Sequence, residues 1–280
     1  MSRKNAISLL MSVGLISGCT SAVDTPVNIA NTTIDTTANP LSSTAVSVTN
    51  IALTTEEEAE KAVAIQAMNE MSHYLRSLKS FQVVADVSHT ETIESGQTIL
   101  LSKKVEIKAE RPSKLWAKTS THYEQKEFFF DGQTFSLYTP NLGYYTSFNA
   151  PGTVSQVVLN IKNKHDIDVP IVDLFLWGTA ADDSIEVDRA VIVGVTQVNG
   201  ISCNQFAFSE KNIDWQICIR RDGKPLPLRF AIFEKGTDAG LGQMAILNWD
   251  TAPNLLGQTY TFVPKAGDEK IAIRKVAESK

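Results

Sequence analysis

Residues 124–148 read Glu124-Gln125-Lys126-Glu127-Phe128-Phe129-Phe130-Asp131-Gly132-Gln133-Thr134-Phe135-Ser136-Leu137-Tyr138-Thr139-Pro140-Asn141-Leu142-Gly143-Tyr144-Tyr145-Thr146-Ser147-Phe148. Three short β-prone runs are separated by two turn signals. Asp131-Gly132 is a two-residue hairpin signal. Pro140-Asn141-Leu142-Gly143 has type I turn chemistry. Strand, turn, strand, turn, strand is an antiparallel meander. Three consecutive phenylalanines put a ring on both faces of the first run, since side chains alternate along a strand.

The same pattern extends in both directions. Upstream, Phe81, Val83, Ala85 and Val87 recur at period two, Gly96 turns the chain, and Ile99, Leu101, Val105, Ile107 and Ala109 make the next apolar face. Pro112 breaks that run before Leu115–Thr121. Downstream, strands are expected over 187–198, 201–208, 213–220, 225–233, 241–250 and 257–263, about eleven in all. Helices are fewer. Thr55 and Glu58 have capping-box spacing, and an acidic first turn complements the helix dipole. Ile65, Met68, Ser72, Leu75 and Leu78 follow on one face, with Ala64, Ala67 and Met71 beside them. Thr153 precedes Val154, Val157, Val158 and Ile161 at helical spacing. Pro170 opens a second short helix that carries Leu174, Phe175 and Trp177 and ends at Gly178. The fold class is mainly β (α+β), with one long N-terminal helix and two short central ones.

The cysteines divide by place. Cys203 and Cys218 flank a hairpin with Ser209–Asn212 as its loop. If Phe208 faces Ile213, then Cys203 faces Cys218, and one register separates Phe206, Phe208, Ile213, Trp215 and Ile217 from Gln205, Asp214, Gln216 and both thiols. A cross-strand disulfide on the polar face is expected. Cys19 stands elsewhere. Arg3 and Lys4, an apolar run from Ala6 to Ile16, then Ile16-Ser17-Gly18-Cys19 have the parts of an export signal. The run is too short to span a bilayer, which takes roughly 20 residues. The cysteine makes the segment look like a bacterial lipoprotein signal. In that resemblance Cys19 becomes the lipidated first residue of the mature chain. Thr rather than Asp at position 20 favours the outer membrane by enterobacterial sorting rules. Residues 19–54 are rich in Ser, Thr and Asn, lack Lys and Arg, and read as a disordered tether. The expected organisation is a signal over 1–18, the tether over 19–54, a domain over 55–265 and a tail over 266–280.

Composition narrows the function. The chain has 280 residues and a formal charge of −5, which becomes −7 without Arg3 and Lys4. No basic cluster offers a phosphate footprint, which excludes nucleic acid as an expected partner. His73, His89, His122 and His165 fall in separate elements without metal spacing. No serine sits in Gly-x-Ser-x-Gly. There is no phosphate-cradling glycine loop. Neither enzyme activity nor a cofactor or metal is expected. Apolar and aromatic residues are the richer signal. Met68, Leu75, Phe128, Phe130, Phe206, Trp215 and Phe230 are either ordinary core or the lining of a wide, incompletely filled barrel that holds an acyl chain.

Longer motifs carry a family resemblance. Phe130-Asp131-Gly132, Leu137-Tyr138-Thr139-Pro140, Tyr144-Tyr145, Ala150-Pro151-Gly152-Thr153, Asp166-Ile167 with Pro170, Asp173-Leu174, Val198-Asn199-Gly200, Cys203, Asp214-Trp215-Gln216, Pro225-Leu226-Pro227, Trp249 and Phe262-Val263-Pro264 resemble the DUF2092 family over roughly residues 60–265. That family has no established biochemical function. The resemblance implies a fold similar to the lipoprotein carriers LolA and LolB: a curved antiparallel half-barrel with helices against its apolar concave face. The lid-locking arginine and membrane-inserting leucine of those carriers match no identified position. The implied function is a membrane-anchored periplasmic lipoprotein that binds a lipid or other hydrophobic molecule, with lipoprotein carriage a fold-level analogy. The alternative is a non-catalytic interaction module of the envelope, a sensor or assembly factor, whose protein partner the sequence does not name.

Overall fold

The computed structural model describes residues 55–167, 169–179, 186–236 and 242–273. The export signal, Cys19, the stretch to residue 54 and Asp182-Asp183 lie outside the described residues. The described chain begins with α1 (Thr55–Ser77) and continues with β1 (Ser80–Thr92), β2 (Thr98–Glu110), β3 (Lys114–Ser120), β4 (Gln125–Phe130), β5 (Thr134–Thr139) and β6 (Tyr144–Asn149). Then come α2 (Val154–His165), α3 (Asp173–Leu176), β7 (Arg189–Val198), β8 (Ile201–Ser209), β9 (Ile213–Arg220), β10 (Pro227–Glu234), β11 (Gly242–Asp250) and β12 (Glu269–Lys270).

All twelve strands form one open sheet in the order β12-β6-β5-β4-β3-β2-β1-β11-β10-β9-β8-β7. Each neighbouring pair is antiparallel except β12 with β6. The chain builds one meander from β1 to β6, passes through α2 and α3, and builds a second from β7 to β11. β1 and β11 join the two. This is the half-barrel expected from sequence. Its apolar inward face is covered by helices, and its outward face is largely polar.

Period-two alternation explains the inward face. Phe81, Val83, Ala85 and Val87 of β1 are buried, as are Val105, Ile107 and Ala109 of β2 and Ala245 and Leu247 of β11. Ala64, Met68, Met71, Ser72 and Leu75 form the buried face of α1. Ile65 sits at the edge of that face, half-buried. Thr153 caps α2 with a complete capping box: its side chain accepts from the Gln156 backbone N–H, and its own N–H donates to Gln156 Oε1 at 2.9 Å. The second central helix is shorter than expected, a single turn at Asp173–Leu176.

Two sequence expectations shift. The cysteine hairpin pairs Phe208 with Trp215 and Cys203 with Arg220, two residues out of the expected register. Glu210 N–H donates to the Ile213 carbonyl and closes a two-residue loop, tighter than the four-residue loop expected. The Phe208 and Trp215 rings stack with centroids 4.0 Å apart. Because the shift is even, every side chain keeps its face. The cysteines are therefore diagonal neighbours rather than opposite ones. They still bond, with Cα atoms 5.5 Å apart. They also face outward, as expected, but lie buried with Val198 and Leu228 in a small cluster of their own. A bulge between Pro227 and Arg229 turns Leu228 onto that cluster.

The expected strand at 257–263 does not form. That segment belongs to a strap that crosses the outer face. The Phe262 ring packs on Phe129, Tyr138 and Tyr145, with centroids 5.4, 4.9 and 5.1 Å away. Thr261 Oγ1 donates to Asp131 Oδ2 at 3.1 Å. Side chains rather than a backbone ladder hold the strap. Glu269–Lys270 then pairs with β6. Among the described residues no helix is long and apolar enough to cross a membrane.

Candidate functional site

The inward face can be followed strand by strand through the register. Phe206, Ile217, Phe230, Ala245 and Val87 are successive partners across β8, β9, β10, β11 and β1. Trp215 lies in the adjoining row with Phe208 and Ile232. In the other meander Phe128 pairs with Ala117 and Leu137, and Phe130 with Leu115 and Phe135. Met68 and Leu75 descend from α1. All seven side chains proposed from sequence as a lining therefore belong to one buried cluster. Each is at most 6% exposed, so a ligand reaches them only if something moves.

The segment over 169–178 packs into the same cluster. Ile171, Leu174, Phe175 and Trp177 are buried in the same cluster. Phe175 lies 5.8 Å from Phe81, centroid to centroid, and Trp177 meets Phe230 edge-on at 6.1 Å. Ile171 has φ 52, a backbone region that β-branched residues rarely enter. Such strain costs of order 1–3 kcal/mol and persists only where surrounding contacts enforce it.

Three side chains from three different elements hold the rest of the segment. Arg111 Nη2 at the end of β2 donates to the Leu174 carbonyl at 3.2 Å. Arg76 in the last turn of α1 donates to the Gly178 carbonyl. Ser155 Oγ in α2 donates to the Phe175 carbonyl at 2.9 Å. Gly178 has φ +73, and a Cβ there would stand 2.9 Å from Arg76 Nε, so glycine permits the close approach. Arg111 also lies over the rings of Phe81 and Phe175, with its Cζ 5.6 and 5.8 Å from their centroids. Burial, and next the charge of Arg76, lowers the pKa of Arg111 from its ordinary value. It remains a cation at any physiological pH.

No sequence pattern marks these clamps. Their acceptors are backbone carbonyls, which leave no trace in side-chain patterns. The apolar pattern did place Leu174, Phe175 and Trp177 together. Among the described residues no group of three His, Cys, Asp or Glu side chains could hold a metal ion.

Among solved structures, LprF from Mycobacterium bovis is similar, with TM-score 0.42 and 11% identity over 71% of this chain and 98% of that one. Lipoprotein LppX from Mycobacterium tuberculosis matches with TM-score 0.42 and 14% identity over 69% of this chain and 98% of that one. A LolA superfamily protein from Nitrosomonas europaea matches with TM-score 0.24 and 8% identity over 67% and 91%. No curated protein matches the sequence. The family model for DUF2092, described as a predicted periplasmic protein, matches residues 64–274, and the chain belongs to that family.

Proposed function

We propose that this chain is a periplasmic lipoprotein that binds a lipid or other hydrophobic molecule on the concave face of its half-barrel. Cys19 carries the anchor in the outer membrane of a Gram-negative cell, and residues 19–54 tether the domain. Binding requires the Val169–Gly178 segment to move aside. The observation that carries the reading is the combination at that segment. An apolar plug sits on an apolar floor, one of its residues has a strained backbone, and polar clamps hold it at its carbonyls. A ligand that replaces the plug recovers its buried area, at about 25 cal/mol per Å². The test is native mass spectrometry and lipid extraction of the purified mature protein, with titration of a fluorescent fatty acid. A ligand-free protein that ignores the probe overturns the reading. Replacing Cys19 by Ala is expected to release the exported protein from the membrane fraction.

One observation supports the alternative interaction module. β7 is an edge strand, and Val191, Ile192, Val193 and Val195 on it are exposed. An edge strand with exposed apolar side chains invites an added strand. Crosslinking in cells with a photoreactive residue at Val193 tests this. No crosslinked partner is the outcome that removes it.

A further inference from the structure

Where β11, β1 and β2 meet, the concave face turns from apolar to polar. The register defines an inward row across seven strands: Leu101, His89, Gln243, Ile232, Trp215, Phe208 and Ala190. The next row is Lys103, Val87, Ala245, Phe230, Ile217, Phe206 and Ile192. Of these fourteen positions only His89, Gln243 and Lys103 are polar, and they are neighbours on β1, β11 and β2. Each continues an alternation that is apolar deeper in the sheet: Val83-Ala85-Val87-His89, Leu247-Ala245-Gln243 and Ile107-Val105-Lys103. Nothing about sheet stability calls for polar groups there, because burying them costs free energy unless they find partners.

Two of them have none. His89 Nδ1 and Gln243 Nε2 are buried without a hydrogen-bond partner. The Gln243 side chain belongs to a residue only 7% exposed. Native proteins rarely leave such atoms unpaired, and each instance calls for an explanation. Burial first, and then the charge of Lys103, lowers the pKa of His89, while Glu91 opposes the shift. Glu91 is exposed one step further toward the strand end.

We infer that His89, Gln243 and Lys103 form the polar end of the binding face and take the anionic, hydrogen-bond-accepting head group of an amphiphile whose hydrocarbon tail lies along the two apolar rows. The inference rests on the hydrophobic-ligand reading above and specifies its ligand class. An amide N–H and an imidazole N–H donate, and an ammonium supplies the charge. The partner these groups recognise is a carboxylate or a phosphate. Trp215, Phe208, Phe206 and Phe230 lie beyond Gln243 in the same two rows, the position a tail would occupy.

The experiment compares ligands that differ only at the head. Oleic acid, methyl oleate, 1-oleoyl lysophosphatidic acid and monoolein are titrated against the whole mature protein by native mass spectrometry and by displacement of a fluorescent probe. The acid is expected to bind at least tenfold more tightly than its ester. The stronger of the two anions identifies carboxylate or phosphate as the head. In a Gln243→Leu/His89→Phe variant the acid-to-ester ratio should fall to within about twofold while ester affinity stays. Because the wild-type comparison needs no variant, a misfolded double variant does not obscure the result, and Lys103→Gln on the folded background lowers the ratio separately. Equal binding of acid and ester by the wild type overturns the head-group assignment and leaves hydrophobic binding intact. If no amphiphile binds, both readings fall together.

Discussion

Replacing Arg111 by Met tests whether the Val169–Gly178 segment is a separately held plug. Methionine keeps an unbranched apolar stem against Phe81 and Phe175 but removes the guanidinium. The lost bond to the Leu174 carbonyl at 3.2 Å is one with a charged donor. Such bonds contribute about 1.5–3 kcal/mol. The cation over two aromatic rings adds roughly 0.5–1 kcal/mol, part of which the thioether contact recovers. A net loss of about 2 kcal/mol multiplies the open population of the segment by about 30, since each 1.4 kcal/mol is tenfold. Three amides report this opening directly: Phe175 N–H bonds to Val172, Trp177 N–H to Asp173 and Thr179 N–H to Leu176. Native-state hydrogen exchange of these amides should accelerate about 30-fold, while amides in β1 and β11 keep their wild-type rates. Uniform acceleration across the sheet would mean that the segment opens only with global unfolding. No acceleration would mean that Arg111 does not hold it. The first result refutes a separately held plug, and the second refutes Arg111 as its clamp.

Further expectations concern the frame around it. Replacing both Cys203 and Cys218 by Ala keeps their buried cluster apolar but releases a cross-link of sequence separation 15, worth about 3 kcal/mol. At roughly 2–4 °C per kcal/mol for a domain of this size, the melting temperature should drop by about 6–12 °C in a thermal scan. Thr153→Ala removes the α2 capping box and should cost about 1 kcal/mol in urea unfolding with an unchanged m-value. Burial first, and then the charge of Lys103, holds the His89 pKa below its ordinary value in the fold. The unfolded chain therefore binds a proton first as the pH falls. Stability from this group is fully present above pH 6.5 and is lost as the pH drops toward the folded pKa. His89→Phe should flatten the pH 7.5-to-5.5 decline in melting temperature, and an unchanged slope would mean that His89 makes no contribution to it.

Much of this molecule was legible as pattern. Alternation at period two marked the strands because a half-buried sheet forces it, and Thr153 marked a helix start because its oxygen answers an orphaned N–H. The consecutive rings of Phe128, Phe129 and Phe130 announced two covered faces, and both are covered, one by the core and one by Phe262 of the strap. Local chemistry set these features, so local sequence displayed them.

What the sequence could not display depends on distance along the chain. The hairpin register slipped by two because an even shift preserves every face, and a stacked Phe208–Trp215 pair with a two-residue loop decided between registers that alternation cannot tell apart. The 257–263 segment alternates like a strand but lies on the outer face, where rings from three other strands hold it. Arg76 and Arg111 reach carbonyls some 60–100 residues away. His89, Lys103 and Gln243 were three unrelated polar residues until β11 closed against β1. The sequence by itself determined which faces of β1 to β11 are apolar, where the long helix and α2 begin, and which cysteines share a hairpin, because each follows from short-range periodicity. Only the tertiary structure decided what covers the apolar face and where polar groups meet on it, because strand order and backbone acceptors carry no side-chain signature.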